Sequence, residues 1–168
     1  MRKVITGRRT HRHEGDLVVF IVGMTVNQPW RVRTWFPVFA AMPKMLEELT
    51  ADPDSGLLGY RLVFGRGGPM CIQYWSSAEQ LYAYASDREG LHRPAWAEFN
   101  RGAKKVPGAV GIWHETYQVA QSESVYVDTP VAGLSEATES VELGRGQDSA
   151  RDRLRRRRPA RAAAAGSP

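Results

Sequence analysis

Leu17–Val26, LVVFIVGMTV, is the stretch whose reading decides the fold. It is continuously apolar and β-branched, the composition of a strand covered on both faces. It also carries a glycine and falls well short of the roughly 20 apolar residues needed to cross a bilayer. A central strand over about 16–26 is therefore expected, and the rest of the chain falls into order around it. The connection NQPWRVRTWFPV leads to Thr34, a helix N-cap by type. From Trp35 to Thr50 the apolar residues Phe39, Met42, Leu46 and Leu49 recur at the three-and-four spacing of one buried helical face. Pro37 suits the first turn of that helix, and Pro43 is expected to kink it.

ADPDSG is a turn by composition, and LLGYRLVF after it alternates as a second strand. GRGGP then makes a hairpin to PMCIQYW. That glycine cluster has neither the Lys-Ser/Thr nor the following helix of a phosphate loop. Ser76 and Ser77, with Glu79 and Gln80 behind them, form a capping box for a helix ending near Ser86. Gly90 and Pro94 separate it from a second amphipathic piece, PAWAEFNRGAKK. AVGIWHETYQVA is the fourth strand, and SVYVDTP is expected to add a fifth at the edge. The order strand, helix, strand, strand, helix, strand is the α+β, ferredoxin-like βαββαβ split βαβ pattern.

The formal net charge of +5 is unevenly spread. Residues 1–13 hold five basic side chains and no acid, and residues 145–168 hold eight arginines against two aspartates, whereas residues 14–144 carry a net −6. An acidic middle argues against a broad nucleic-acid-binding face. The expected organisation is a flexible basic arm at 1–13, one domain at 14–138, and a disordered Arg/Ala-rich tail at 139–168 capable only of weak, nonspecific phosphate contacts. The N-terminal segment lacks the pattern of a secretory signal, so a cytoplasmic protein without membrane partner is expected. The single Cys71, inside an apolar run, reads as a buried thiol.

Among residues that could carry chemistry, His11 and His13 lie in the basic arm without metal-ligand company. His92 starts the second helical piece and would share a face with Trp96 and Phe99 if that helix extends back past Pro94. His114 lies on the fourth strand, where alternation puts it on the face opposite Glu115 and Tyr117. His92 and His114 are thus candidate bases, and Glu115 with Tyr117 is a candidate acid/base and hydrogen-bonding pair. Arg31, Arg33, Arg61 and Arg66 are possible partners for the carboxylate. Five tryptophans and six tyrosines suit an aromatic interior for a flat organic ligand. No catalytic triad, dinucleotide fingerprint or zinc cluster is present in the sequence, and no metal ligands are assigned.

VVFIVGMTVN, the WFPV opening the first helix, MLEEL, GLLGY, HRPAWAEF and VGIWHETY, with the closing VYVDTPVAGLSEAT, together resemble a known family. It is the monooxygenase-like family first listed as a domain of unknown function and later named for a fumagillin-pathway polyketide monooxygenase. The likeness runs over about residues 4–138. It implies a homodimer of the dimeric α+β barrel type, a cavity between sheet and helices, and a small monooxygenase acting on an aromatic or polyketide-type molecule of secondary metabolism. Asn27, Trp35, His92, Trp96, His114, Glu115 and Tyr117 match the family's pattern. Asn27, Trp35, Trp75 and Trp96 are the expected substrate-binding residues. No cofactor is expected; a haem enzyme, with His92 or His114 as axial ligand, and a non-catalytic binding dimer are the alternatives.

Overall fold

Val18–Val26 is hydrogen-bonded along both of its edges, the central place in the sheet that its uninterrupted apolar run predicts. The computed structural model describes residues 2–65 and 67–156. In chain order the elements are β1 Ile5–Arg12, β2 Val18–Val26, α1 Val32–Ala51, β3 Leu57–Gly65, β4 Gly68–Trp75, α2 Ala78–Ser86, α3 His92–Lys105, β5 Val110–Gln118, β6 Tyr126–Thr129, α4 Leu134–Ala137, β7 Glu139–Glu142 and α5 Ala150–Arg156. They form two compact units, one spanning Gly15–Gln118 and the other built from the described residues that flank it in sequence.

The Gly15–Gln118 unit has a four-stranded antiparallel sheet in the order β3-β4-β2-β5, with α1 connecting β2 to β3 and α2 and α3 connecting β4 to β5. That is the ferredoxin-like α+β arrangement. Register fixes the two faces. Phe20 lies between Gln73 and Thr116, Val22 between Cys71 and His114, and Val18 between Trp75 and Gln118. Ile21, Ile72 and Glu115 alternate onto the other face. The core is centred on Val18, Leu49, Trp75, Ala78 and Leu81, with Phe20, Leu57 and Tyr84 packed against it.

Local signals explain most helix ends. Ser77 is the N-cap of α2, its hydroxyl accepting the Gln80 N–H at 3.2 Å. The Gln80 side chain reaches back to the Ser76 hydroxyl. α1 begins earlier than the sequence suggests: Arg31, not Thr34, is its N-cap, and both Pro37 and Pro43 lie inside one continuous helix. α3 starts at His92, so Pro94 falls in its first turn, where a missing N–H costs little.

The flanking unit corrects the expected organisation. Residues 1–13 contain β1, the centre of a three-stranded sheet in the order β6-β1-β7, rather than a flexible arm. β6 was expected as an edge strand of the main sheet and pairs with β1 instead. The 14–138 boundary and the 139–168 tail shift accordingly, because residues 119–156 belong with this unit and include β7 and α5. The cause lies far off in sequence. Arg2 pairs with Glu136 at 2.7 Å, Arg8 with Asp148 at 2.6 Å and Arg12 with Glu139 at 3.3 Å, so the basic arm is neutralised by acids near the other end. Arg153, which is buried, pairs with Glu123 at 2.7 Å. His11 is fully buried, its Nδ1 2.7 Å from the Ser124 hydroxyl and its Nε2 2.9 Å from that of Ser122. The arginine run beyond residue 156 lies outside the described residues, as does Arg66.

Candidate functional site

A cavity of about 200 Å³ lies within the Gly15–Gln118 unit, between the sheet face bearing Phe20, Val22, Gln73 and His114 and the helices α1, α2 and α3. Its walls are aromatic and flexible at once. Phe20, Phe39, Phe64, Trp75 and Trp96 line it, and so do Met24, Met42, Met45 and Met70. Among the described residues, no Asp, Glu, Lys or Arg does.

Two candidate residues meet there from different elements. His92, at the start of α3, lines the cavity with its ring 6.0 Å from that of Tyr84, and its Nδ1 is buried without a hydrogen-bond partner. A buried imidazole nitrogen left unpaired costs about 1–3 kcal/mol, so a stretch of fold that keeps one is keeping it for a ligand or absorbing strain. His114 lines the cavity from the edge strand β5, is solvent-exposed, and has its ring 5.6 Å from Phe20. Trp96 joins them from α3, half-exposed and stacked 5.3 Å from Phe99. Trp75 is fully buried, and its indole N–H donates to Gln73 Oε1 at 3.0 Å.

The other expected site residues lie elsewhere. Glu115 and Tyr117 project from the opposite sheet face, as strand alternation requires, and do not line the cavity. They do pair with each other: the Tyr117 hydroxyl donates to Glu115 Oε2 at 2.7 Å, a bond that raises the phenol above its ordinary pKa. No ion pair joins Glu115 to Arg31, Arg33 or Arg61 among the described residues. Asn27 fixes a turn, its side-chain amide donating to Gly108 O at 3.0 Å, and Trp35 donates its indole N–H to Pro29 O at 3.0 Å. Neither lines the cavity.

Two contributors, Glu48 and Tyr84, were not singled out from sequence, and Cys71, read there as a buried thiol, joins them in the lining or beside it. The Glu48 carboxylate accepts the Tyr84 hydroxyl at 3.0 Å and the Leu91 backbone N–H at 3.2 and 3.3 Å, tying α1 to α2 and to the residue before His92. Burial first, then Glu48, push the Tyr84 phenol well above its ordinary range. Burial also pushes the Cys71 thiol, which lines the cavity, up to about 11. The spacing from Leu81 to Tyr84 and the place of Glu48 between Leu46 and Leu49 were the available signals.

The haem alternative can be weighed against this donor set. His92 and His114 could each offer a ligand nitrogen to a haem, but among the described residues no Lys or Arg lines the cavity to receive its two propionates. Among the described residues no cluster of three or more His, Cys, Asp or Glu could hold a metal ion, and no helix is long and apolar enough to cross a membrane.

Among solved structures, the chain is similar to an aldoxime dehydratase in complex with butyraldoxime, at 16% identity over 84% of this chain and 44% of that one, with a TM-score of 0.64. The present chain thus spans less than half of that enzyme, and the likeness is one of fold. It is also similar to SnoaB, a cofactor-independent oxygenase from Streptomyces nogalater, at 13% identity over 64% of this chain and 97% of that one, with a TM-score of 0.45. A dimeric ferredoxin-like protein of unknown function from Thermobifida fusca is similar at 16% identity over 64% and 95%, with a TM-score of 0.44. No curated protein matches significantly. The profile of the monooxygenase af470-like family matches residues 17–134, from the first residue of the central apolar run through β5 and β6 to the start of α4, and the chain belongs to that family.

Proposed function

We propose that the protein is a cofactor-free monooxygenase acting on an aromatic or polyketide-type small molecule of secondary metabolism, with the cavity as its site and His92 as the base. The observation that carries this reading is the His92 Nδ1, buried without partner in a cavity lined mostly by apolar side chains. A base in such a place is available to a substrate proton and shielded from competing water.

The chemistry balances with dioxygen as the only co-reactant. His92 removes a proton from an activated CH₂ flanked by a carbonyl-conjugated ring system, or from the hydroxyl of its enol tautomer, leaving in either case the same delocalised carbanion. Dioxygen takes up the electron pair to form a C–O bond, and the resulting peroxide anion recovers the proton from the imidazolium. Loss of water from the hydroperoxide leaves a ketone, so that CH₂ and O₂ become C=O and H₂O. His114, at the exposed edge strand, is placed in this scheme to relay protons with solvent.

Glu115 and Tyr117, on the opposite sheet face, belong in this reading to a homodimer surface rather than to the catalytic set. That face carries Ile21, Ile72 and Trp113 beside them. A cytoplasmic location is part of the same proposal. The test is oxygen uptake by chelator-treated protein supplied with anthrone. One O₂ consumed per anthraquinone formed supports the reading; an absorption band of haem or flavin in freshly purified protein, with activity following that band, overturns it.

A further inference from the structure

The cavity's polar groups are almost all spoken for. The Tyr84 hydroxyl is bound to Glu48, the Trp75 indole to Gln73, and Gln73 also engages the Cys71 thiol. Gln73 itself is buried. Among the described residues, the polar atom left over in the buried part of the lining is His92 Nδ1. Since, among the described residues, no Asp, Glu, Lys or Arg lines the cavity, a carboxylate, phosphate or ammonium entering it would lose its hydration with none of these as counter-ion, at a cost of several kcal/mol.

Resting on the reading that this cavity is the substrate site, we infer that its ligand is an uncharged ring compound carrying one hydroxyl, phenolic or enolic, that is delivered to His92. A hydroxyl both donates and accepts, so it satisfies Nδ1 in either tautomer. The rest of the ligand is recognised by apolar shape alone. Four methionines in the walls, with three phenylalanines, let those walls repack around more than one ring skeleton. Selection is therefore stringent on charge and on the one hydroxyl, and lenient on ring outline.

Calorimetric titration of the full chain with 1-naphthol, naphthalene and 1-naphthoate at neutral pH tests this without turnover. The expected order is 1-naphthol tightest, by about tenfold over naphthalene, one hydrogen bond's worth of discrimination, with 1-naphthoate the weakest of the three because its charge is desolvated. In His92→Phe the advantage of 1-naphthol over naphthalene disappears, while unchanged naphthalene binding shows that the cavity is intact. Naphthoate binding as tightly as naphthol overturns the inference, as does a naphthol preference that survives His92→Phe, or no binding of any of the three. Failure of oxygen uptake with these binding results in place would instead strike at the monooxygenase reading alone.

Discussion

The Tyr84 hydroxyl donates to the Glu48 carboxylate at 3.0 Å, and the same carboxylate takes the Leu91 N–H, so one acid anchors the residue immediately before His92. α3 has no side-chain cap of its own and no acid in its first turn, so Glu48 supplies from α1 what the α3 sequence lacks. Glu48→Ala should lower thermal stability by about 1–2 kcal/mol. It should also reduce turnover more than substrate affinity, with Glu48→Gln, which keeps an acceptor for Leu91, recovering most of both. Tyr84→Phe should cost about 1 kcal/mol and leave Leu91 held. Equal losses in the Ala and Gln variants would argue against the anchoring role.

Alkaline stability follows from Cys71 and Tyr84. Burial raises the Cys71 thiol from 9.0 to about 11, and Tyr84 is raised as well. Each group binds its proton more tightly folded than unfolded, so its contribution is complete below the unfolded pKa and is lost as pH climbs through the folded one. Denaturant midpoints should hold up to about pH 9 and fall between 9 and 11. Cys71→Ala should flatten part of that fall. At pH 8 the native thiol should resist alkylation, and rapid labelling there would contradict its burial.

Gly68 has φ +102°, and a Cβ built on it would lie 2.0 Å from the Met24 carbonyl oxygen of the neighbouring strand. Backbone on β2 cannot step aside as a flexible side chain would. Gly68→Ala should destabilise the domain by more than about 2 kcal/mol in a denaturant titration. Gly65→Ala, at the other end of β3–β4's tight connection, where nothing lies within 4 Å, is the tolerant control.

Gly23 lets the Trp113 indole lie flat on the strand, since a Cβ there would sit 2.3 Å from the ring. With Tyr117 and Ile72, that ring belongs to the sheet face proposed for dimerisation. Trp113→Lys should shift sedimentation from dimer toward monomer while naphthalene binding persists. An unchanged sedimentation coefficient would remove this face from the interface.

The sequence made the Gly15–Gln118 unit largely legible because its signals are local: one uninterrupted apolar strand, strict alternation along 110–118, and a serine cap three residues before Gln80. Alternation also separated His114 from Glu115 before any coordinates. It could not say which set faces the helices, because α3 covers its side of the sheet without burying any residue fully. The flanking unit was misjudged for a different reason. β1 reads ITGRRTHR, polar enough for a loose arm, and its arginines find acids more than 120 residues away. His11, expected in a flexible basic arm, is held instead by Ser124 and Ser122 at its two ring nitrogens. Glu48 was hidden because a glutamate in LEEL is unremarkable until Leu91 comes to it.

The central claim is that His92 is the base of an oxygen-consuming reaction in the cavity. Steady-state anthrone oxidation by the wild-type protein, His92→Ala and His114→Ala, followed by oxygen electrode and anthraquinone absorbance, tests it most directly. The account predicts that His92→Ala loses about a hundredfold or more in kcat, and that His114→Ala loses far less. Equal rates in wild type and His92→Ala, or wild-type uptake no faster than the buffer reaction, would contradict it.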